Sequence, residues 1–366
     1  MILIIIYVNL LDKYTPTFEN SPQITLRYSH VFLGAYEPSV TLPPPRKTRY
    51  AIFASSIHSQ LRSYIFYAPI TAAAWQRIDY GVIVVFVGDF TLEPAHHAVQ
   101  QLNLTRRFLE RLGVHIIHLQ CPKSHSIKLS QIVRLFNGFI SNSILFDTDY
   151  VLTTDSDIIP IHRYQYEFSM NSTGFIYNAF CCGTIQRRNK TFPMYPMSHI
   201  CLTKSTWRNL FLESKQRQEL LSNTTTNLLS QNASLSFDLI SLYMRHEFRD
   251  LYDSTMVKGD AAWYMDQLYT SMLFDDYVER HRDFSIDKRR KLSLRLDPNI
   301  PIYTWTAQRM KDFGDAHIIH DEIFDMHRWN RFKHLLNYLF EPSLVADFDF
   351  YYKQFSLFVN GKPTNY

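Results

Sequence analysis

The stretch Gly81-Val-Ile-Val-Val-Phe-Val87 constrains the fold of this chain more than any other part of the sequence. It is a continuous apolar run rich in β-branched residues, which is typical of a strand buried on both faces of a sheet. Other short apolar runs alternate with segments of helical periodicity. Before residue 160 the predicted strands span 50–54, 81–87, 114–119 and 150–154, and the predicted helices span 61–77, 96–112 and 127–140. This alternation predicts an α/β fold with an open, mostly parallel, Rossmann-like sheet flanked by helices.

The second half of the chain has a less regular pattern. Residues 174–180 and 199–203 are predicted strands, and 260–272 is a predicted helix, whereas the polar stretch 212–258 is interpreted as a long excursion. The sequence therefore predicts a short apolar segment over residues 1–11, a proline-bearing stem or linker over 12–48, one catalytic domain over 49–340, and a C-terminal tail over 341–366.

Composition excludes several classes of protein. The net charge is only +4 over 366 residues, which is too small to indicate a nucleic-acid partner. The sequence holds 10 glycines and contains neither a Walker loop nor a dinucleotide fingerprint, so a glycine-cradled phosphate site is not expected.

The N-terminal run Met1 to Leu11 bears on where the protein resides. As a helix it would span about 16 Å, against roughly 30 Å of bilayer hydrocarbon, so it is interpreted either as a truncated signal-anchor or as a buried strand or start-codon artefact. Five Asn-X-Ser/Thr acceptors favour the anchor and a glycoprotein; they are Asn103, Asn171, Asn189, Asn223 and Asn232. The expectation is a type II membrane protein of the Golgi or ER lumen, or a secreted protein. The sequence leaves open whether its four cysteines form disulfides or remain buried thiols. They are Cys121, Cys181, Cys182 and Cys201.

Three Asp-X-Asp triplets are candidates for metal or phosphate chemistry. Asp155-Ser156-Asp157 directly follows the predicted strand 150–154, at the carboxyl end where open α/β sheets bind ligands. In an extended chain its two carboxylates would face the same way and suit Mg²⁺ or Mn²⁺ carrying a diphosphate. Asp347-Phe-Asp349 lies in the predicted tail and is interpreted as solvated.

The third triplet, Asp147-Thr-Asp149, supports an alternative. Residues 143–151 resemble the first motif of haloacid-dehalogenase-type phosphatases, which implies Asp147 as nucleophile and Asp149 as general acid. That motif normally opens its sheet, and here about three predicted strands precede it. Asp147 and Asp149 are therefore expected in the loop that leads into the strand before Asp155.

A helix carrying Leu129-Ser-Gln-Ile-Val-Arg-Leu-Phe136, followed by Tyr150-Val-Leu-Thr-Thr-Asp-Ser-Asp157, resembles the arrangement in GT-A-type glycosyltransferases, in particular glycogenin-like and galactosyltransferase-like members. The resemblance spans residues 50 to 330 and is specific over 128 to 160. It implies a GT-A fold, a nucleotide-sugar donor that is usually UDP-linked, and Mn²⁺ or Mg²⁺ as cofactor.

The resemblance also implies roles for individual residues. Arg134 matches an arginine that approaches the donor diphosphate, and Asp155 and Asp157 match the metal and donor ligands. Asp266-Gln267 matches an acidic segment near the reacting sugar in retaining members, although Leu268 stands where those members have a second aspartate. Both His317 and His320 fit a late histidine that completes the metal shell, and the resemblance favours His320.

The expected function is therefore metal-dependent transfer of a hexose or N-acetylhexosamine from a nucleotide diphosphate to a glycan or protein acceptor, with retention favoured. The alternative outside enzymes is a catalytically silent sugar- or nucleotide-binding protein of the same fold.

Overall fold

The central feature of the computed structural model is a seven-stranded sheet. The structure describes residues 47–93, 96–167, 173–223, 226–254, 256, 262–290, 294–297 and 306–359, and these pack as one compact unit. The strands are β1 (Arg49–Ser56), β2 (Gly81–Gly88), β3 (His115–Gln120), β4 (Tyr150–Thr153), β5 (Ile158–Pro160), β6 (Gly174–Ile176), β7 (Thr184–Arg187), β8 (Lys190–Pro193), β9 (Ile200–Thr203), β10 (Asp287–Lys288), β11 (Leu294–Leu296) and β12 (Phe313–His317).

The strand order in the large sheet is β10-β6-β9-β4-β1-β2-β3. Strands β3, β2, β1 and β4 are parallel neighbours, and β10 is parallel to β6. Strand β9 pairs antiparallel with both β4 and β6, so β6 runs in the same direction as β4. The predicted open, mostly parallel α/β sheet is therefore confirmed.

Helices flank this sheet. They are α1 (Ser63–Phe66), α2 (Ala68–Arg77), α3 (His97–Arg111), α4 (Lys123–Ile132), α5 (Lys204–Leu212), α6 (Lys215–Asn223), α7 (Phe237–Asp253), α8 (Met265–Arg280), α9 (Ala307–Met310), α10 (Met326–Leu339) and α11 (Pro342–Val359). Short 3₁₀ segments span Val133–Phe139, Arg163–Tyr166, Asn227–Leu229 and Asp321–Phe324. A small sheet of order β11-β12-β5 and the hairpin β7-β8 complete the described elements.

Burial on both faces explains the apolar run of β2. Ile83 and Val85 pack in one core cluster with Leu129 of α4, whereas the alternate residues Val82 and Val84 are buried on the opposite face, on which α2 contacts β2. Because side chains alternate along a strand, a strand covered by helices on both sides must be apolar at every position.

The polar stretch 212–258 was interpreted as an excursion, and this prediction is wrong. It holds α6 and α7, and α7 buries Leu239, Ile240, Tyr243 and Met244 in the core. The average polarity of the stretch concealed an apolar stripe at helical spacing.

The segment 341–366, separated in sequence as a tail, contains the 18-residue helix α11. The Phe348 ring stacks on Phe108 of α3 at 5.2 Å, and the Phe355 ring stacks on Phe324 at 5.6 Å. Asp349 accepts a hydrogen bond from the Trp329 indole at 2.7 Å, so this carboxylate has a structural partner instead of being simply solvated.

No helix among the described residues is long and apolar enough to cross a membrane. This finding overturns the expectation of a type II membrane protein of the Golgi or ER lumen. The apolar run over residues 1–11, most of the predicted stem, and the acceptor Asn171 lie outside the described residues.

Candidate active site

The Asp155-Ser156-Asp157 triplet lies at the carboxyl edge of the large sheet. Strand β4 ends at Thr153, and a turn in which the Ile158 amide donates to the Asp155 carbonyl at 3.3 Å carries the triplet into β5. The chain is therefore not extended here, and the two carboxylates contact different partners. The Asp155 side chain is 34% exposed and Asp157 only 6%, so Asp155 is the more accessible to a ligand.

Arg134 joins two of the predicted site residues. It lies in the 3₁₀ segment after α4 and is buried, and its guanidinium donates to the carboxylate of Asp155 and, at 3.0 Å, to Oδ2 of Asp266. It also donates to the Thr154 carbonyl at 2.8 Å. Burial alone would raise the pKa of Asp155, but the guanidinium outweighs that effect and holds the pKa below its ordinary value.

Asp266 is in the first turn of α8 and is buried, with 4% of its surface exposed. Its Oδ1 accepts the Gln267 amide at 2.8 Å, so both of its oxygens are engaged. Burial raises the pKa of Asp266, and Arg134 opposes this rise. The Oε1 atom of Gln267 is buried without a hydrogen-bond partner among the described residues.

Of the two candidate histidines, His317 is the one beside Asp157. It ends β12, which pairs antiparallel with β5 so that His317 lies opposite Ile158. Its Nε2 is 3.3 Å from Oδ2 of Asp157, and its Nδ1 is 3.8 Å from Oδ1 of Asp297. The hydrogen bond with Asp157 raises the pKa of His317.

His320, the preferred candidate from the sequence, has a different environment. Its ring packs against Tyr64 with centroids 5.3 Å apart, and its Nδ1 is buried without a partner among the described residues. Burial, together with the charges of Asp157 and Asp155, raises the pKa of Tyr64. The packed rings of Tyr64 and His320 thus lie close to the triplet.

Two arginines of α10 extend the site beyond what the sequence indicated. Arg328 and Arg331 line one cavity together with His317, Ile318, Ile319, Ile323 and Phe332. They are three residues apart and so share a helix face. That spacing was visible in the sequence, but nothing in the sequence shows that α10 packs beside β12.

Further basic groups lie beyond the carboxyl ends of β1, β2 and β3. His58 accepts the Asp89 amide at 3.0 Å through Nε2, and its pKa is lowered by burial and then by the charge of Lys123. Arg62 and His96 add smaller effects of the same sign. Lys123 and Arg62 therefore place positive charge beside His58, while the Asp89 carboxylate opposes their effect on its pKa.

Asp147 and Asp149 lie in the loop before β4, as expected. Asp147 pairs with Arg208 at 2.5 Å, and Asp149 accepts the Phe146 amide at 2.7 Å. They lead into the amino end of β4, at the opposite edge from Asp155. A phosphatase nucleophile would need the carboxyl end of a strand, so this placement disfavours the haloacid-dehalogenase alternative.

The donor types of the site suit a divalent cation. Carboxylate oxygens and an imidazole nitrogen are ligands that Mn²⁺ accepts, and Asp157 and His317 bring one of each together. Among the described residues, no group of three or more His, Cys, Asp or Glu side chains is placed to hold a metal ion. Asp157 and His317 by themselves would supply only two ligands, so a cation here would need further ligands such as the oxygens of a bound diphosphate, as is common for Mg²⁺ sites.

Comparisons with known proteins find similar solved structures but no matching family. No protein-family model matches the chain, and no curated protein matches it. Among solved structures, the crystal structure of 4-diphosphocytidyl-2C-methyl-D-erythritol synthase is similar over 63% of this chain and 100% of that chain, with 10% sequence identity and a TM-score of 0.25.

Proposed function

We propose that this protein is a metal-dependent glycosyltransferase that uses a nucleotide-diphosphate sugar, with a UDP-sugar as the first candidate donor. One observation carries the proposal: Arg134 joins Asp155 at the carboxyl edge of the sheet to Asp266 of α8, while His317 of β12 lies against Asp157. Five residues from four separate stretches of the sequence, all of which the GT-A resemblance selects or names as alternatives, therefore lie close together.

The charges of the site suit a donor diphosphate. The nucleoside would lie over β1 to β3, where Arg62 and Lys123 provide positive charge. Arg328 and Arg331 would face its phosphates from the cavity they share with His317. Guanidinium groups bind phosphate oxygens through paired hydrogen bonds and stabilise the negative charge that develops on a departing diphosphate.

Asp157 and His317 are the proposed protein ligands of the metal, and oxygens of the donor diphosphate would complete its coordination. His317 replaces His320 in that role because of its contact with Asp157. Asp155, which pairs with Arg134, would add negative charge beside the cation. A bound Mn²⁺ or Mg²⁺ would supply Lewis-acid stabilisation of the leaving diphosphate. Asp157 and His317 would hold their lone pairs toward it, while Arg134 keeps the Asp155 carboxylate ionised.

Asp266 and Gln267 would lie on the sugar side of Arg134. Asp266 is 4% exposed, and each of its oxygens accepts a hydrogen bond, one from Arg134 and one from the Gln267 amide. A carboxylate this buried is not open to an acceptor hydroxyl, so its proposed role is that of a positioning group and the proposed reaction is a retaining one. The Oε1 atom of Gln267 is buried without a partner in the part of the chain that the structure describes, and in this proposal it would accept a hydrogen bond from a bound sugar hydroxyl.

The test measures Mn²⁺-dependent release of UDP from UDP-glucose, UDP-galactose and UDP-N-acetylglucosamine, which needs no acceptor because donors hydrolyse slowly in such sites. Asp155→Asn and Asp157→Asn should each lower the rate by at least about 10²-fold, the loss expected when one charge stabiliser is removed. Asp147→Asn is the matched control and should retain activity, because it changes only the ion pairs of Asp147 with Lys204 and Arg208, at the opposite edge of the sheet from Asp155.

Two results would contradict the proposal. An inactive Asp147→Asn beside an active Asp155→Asn would revive the phosphatase reading, which assays with a phosphomonoester would then test. Metal-independent binding of UDP with no turnover of any donor would favour the silent binding protein.

A further inference from the structure

The loop of residues 177–183 follows β6 and contains a disulfide between the adjacent residues Cys181 and Cys182. Because β6 and β4 run in the same direction, this 177–183 loop and the Asp155 triplet lie at the same edge of the sheet. Only β9 separates the two strands, so they are two strand spacings apart, roughly 10 Å. The disulfide thus belongs to the edge that carries the candidate active site.

A bridge between neighbours in sequence contributes little to the stability of the fold. A disulfide stabilises mainly by closing a loop in the unfolded chain, and a two-residue loop removes little entropy. Backbone hydrogen bonds hold the loop instead: the Tyr177 amide donates to the His199 carbonyl at 3.0 Å, the Ala179 amide to Arg289 at 2.9 Å, and the Met194 amide to Gly183 at 2.9 Å. The fold does not need this disulfide as a cross-link.

The bridge is also accessible. Cys181 is exposed and Cys182 is partly exposed, whereas Cys121 and Cys201 are buried free thiols. Burial raises the pKa of Cys121 to about 12, so it stays a protonated, unreactive thiol. Exposed disulfides exchange with external thiols, and buried thiols of high pKa do not.

We propose that Cys181 and Cys182 form a reversible thiol–disulfide site whose redox state sets the shape of the acceptor side of the active site. A dithiol attacks one sulfur as its thiolate and forms a mixed disulfide, and its second thiol then releases the protein. The Cys181–Cys182 bond breaks, both sulfurs end as thiols, and the two electrons come from the dithiol, which becomes a cyclic disulfide. The acceptor assignment rests on the proposed function, whereas the redox chemistry does not.

Phe180 precedes Cys181 and is the residue through which the redox state of the disulfide would affect acceptor binding. Its side chain is 64% exposed, and the Arg290 guanidinium lies 5.8 Å from the centre of its ring. The nucleotide half of the site lies on the other side of β4, over β1 to β3, which leaves Phe180 for the acceptor. Asn178 and Gly183 adopt left-handed φ angles of 55° and 73°, so the loop is tight, and opening the ring between them would change how Phe180 is presented.

The redox site is tested on the full chain by treatment with dithiothreitol, alkylation with iodoacetamide and mass spectrometry. Before alkylation, reduction should add two hydrogen atoms, about 2 Da. Alkylation should then label Cys181 and Cys182 but not Cys121 or Cys201. The double variant Cys181→Ser/Cys182→Ser is the control and should show neither change. Labelling of Cys181 without reductant, or reduction only in denaturant, would overturn the proposal.

The acceptor assignment is tested after the reductant is removed under argon. Methyl glycosides of glucose, galactose and N-acetylglucosamine serve as acceptor probes that stimulate UDP release. Reduction, or Phe180→Ala, should change this stimulation by about three- to tenfold, the scale of one aromatic contact, and leave UDP·Mn²⁺ affinity unchanged. A changed UDP·Mn²⁺ affinity, or unchanged stimulation, would overturn the acceptor assignment. If no state releases UDP, the proposed function and the acceptor assignment fail together, while the alkylation result still decides the redox site.

Discussion

Arg134 illustrates how a single buried residue can organise this site. A guanidinium is stable in the interior only when its charge and its donors are matched, and here it pairs with two carboxylates and two backbone carbonyls. Removing it would leave Asp266 buried without its charge partner. The sequence could predict that Arg134 lies off the apolar face of the predicted helix. It could not predict the hydrogen bond to Asp266, 132 positions later, because that contact depends on the tertiary fold.

The metal shell gives the first prediction at this scale. His317→Ala should weaken Mn²⁺ binding by about 10–100-fold, because it removes the nitrogen that lies against Asp157, and losses of this size are typical of disturbed metal sites. His320→Ala is the matched control, since His320 packs on Tyr64, and it should leave Mn²⁺ affinity nearly unchanged. Titration with UDP present, followed by the electron paramagnetic resonance of free Mn²⁺, measures both. The reverse order of effects would restore His320 as the ligand.

His199 gives a prediction about acid stability. Its ring is fully buried against Trp75 and Tyr166, with centroids 5.5 and 4.9 Å away, and burial lowers its pKa from 6.5 to about 4. Between these two pH values the unfolded chain binds a proton at His199 that the folded protein does not bind. The contribution of His199 to the unfolding free energy is therefore fully present above pH 6.5 and is lost as the pH falls toward 4.

Between pH 7 and pH 5 the loss from this one residue should be about 2 kcal/mol. Guanidinium unfolding at both pH values measures it. His199→Phe fills the same aromatic pocket without a titrating group, so its unfolding free energy should fall by about 2 kcal/mol less than that of the wild type over the same interval. Equal losses in the two proteins would show that His199 does not contribute.

At the scale of elements, the small sheet positions His317. Strand β12 lies between β11 and β5, and the Arg295 guanidinium of β11 makes two hydrogen bonds of 2.9 Å to Asp315 of β12. Asp315 is fully buried, so this pair fixes the register of the strand that ends in His317.

We expect Asp315→Ala to lower the unfolding free energy by about 3–5 kcal/mol, because it leaves a mostly buried guanidinium without its counter-charge. The double variant Arg295→Leu/Asp315→Leu removes both charges and should recover most of that loss. Denaturant unfolding of the three proteins measures the free energies. If the double variant is as unstable as Asp315→Ala, the loss of unfolding free energy comes mainly from altered packing and not from the unpaired charge of Arg295.

The same elements show what could be predicted from the sequence. The runs of β1, β2 and β4 could be predicted because a strand buried on both faces is apolar at most positions. The edge strand β3 is mostly exposed or half-buried and could be predicted only from its short run of apolar, β-branched residues. Strands β5, β11 and β12 were not predicted, since they derive their stability from tertiary pairing between distant segments, as when Ile158 of β5 pairs with His317 of β12. The triplet and Arg134 could be found from local patterns, but the choice between His317 and His320 depends on the β5–β12 pairing, which no local pattern encodes.

At the scale of the whole molecule, the C-terminal helix closes the structure around the first helices. Phe66 of α1 is fully buried, and its ring contacts those of Tyr351 and Phe355 of α11 at 5.2 and 5.3 Å. The carboxylate of Asp321 accepts the amides of Arg62 and Ser63 at 3.1 and 2.8 Å. Residues from the last quarter of the chain therefore hold the segment that carries Tyr64.

This arrangement predicts that α11 is essential for stability. Phe355 is fully buried between Phe66 and Phe324, so Phe355→Ala should lower the unfolding free energy by about 3–5 kcal/mol, the usual cost of removing a core phenylalanine. Phe350→Ala on the same helix is the matched control: this side chain is 48% exposed, and its replacement should cost less than about 1 kcal/mol. Guanidinium unfolding followed by circular dichroism gives both values.

Because the aromatic cluster also supports the segment of Tyr64, Phe355→Ala should weaken Mn²⁺-dependent UDP binding at temperatures where the variant is still folded. Equal and small losses of stability in the two variants would show that α11 is an appendage, as the sequence had suggested, and not part of the domain.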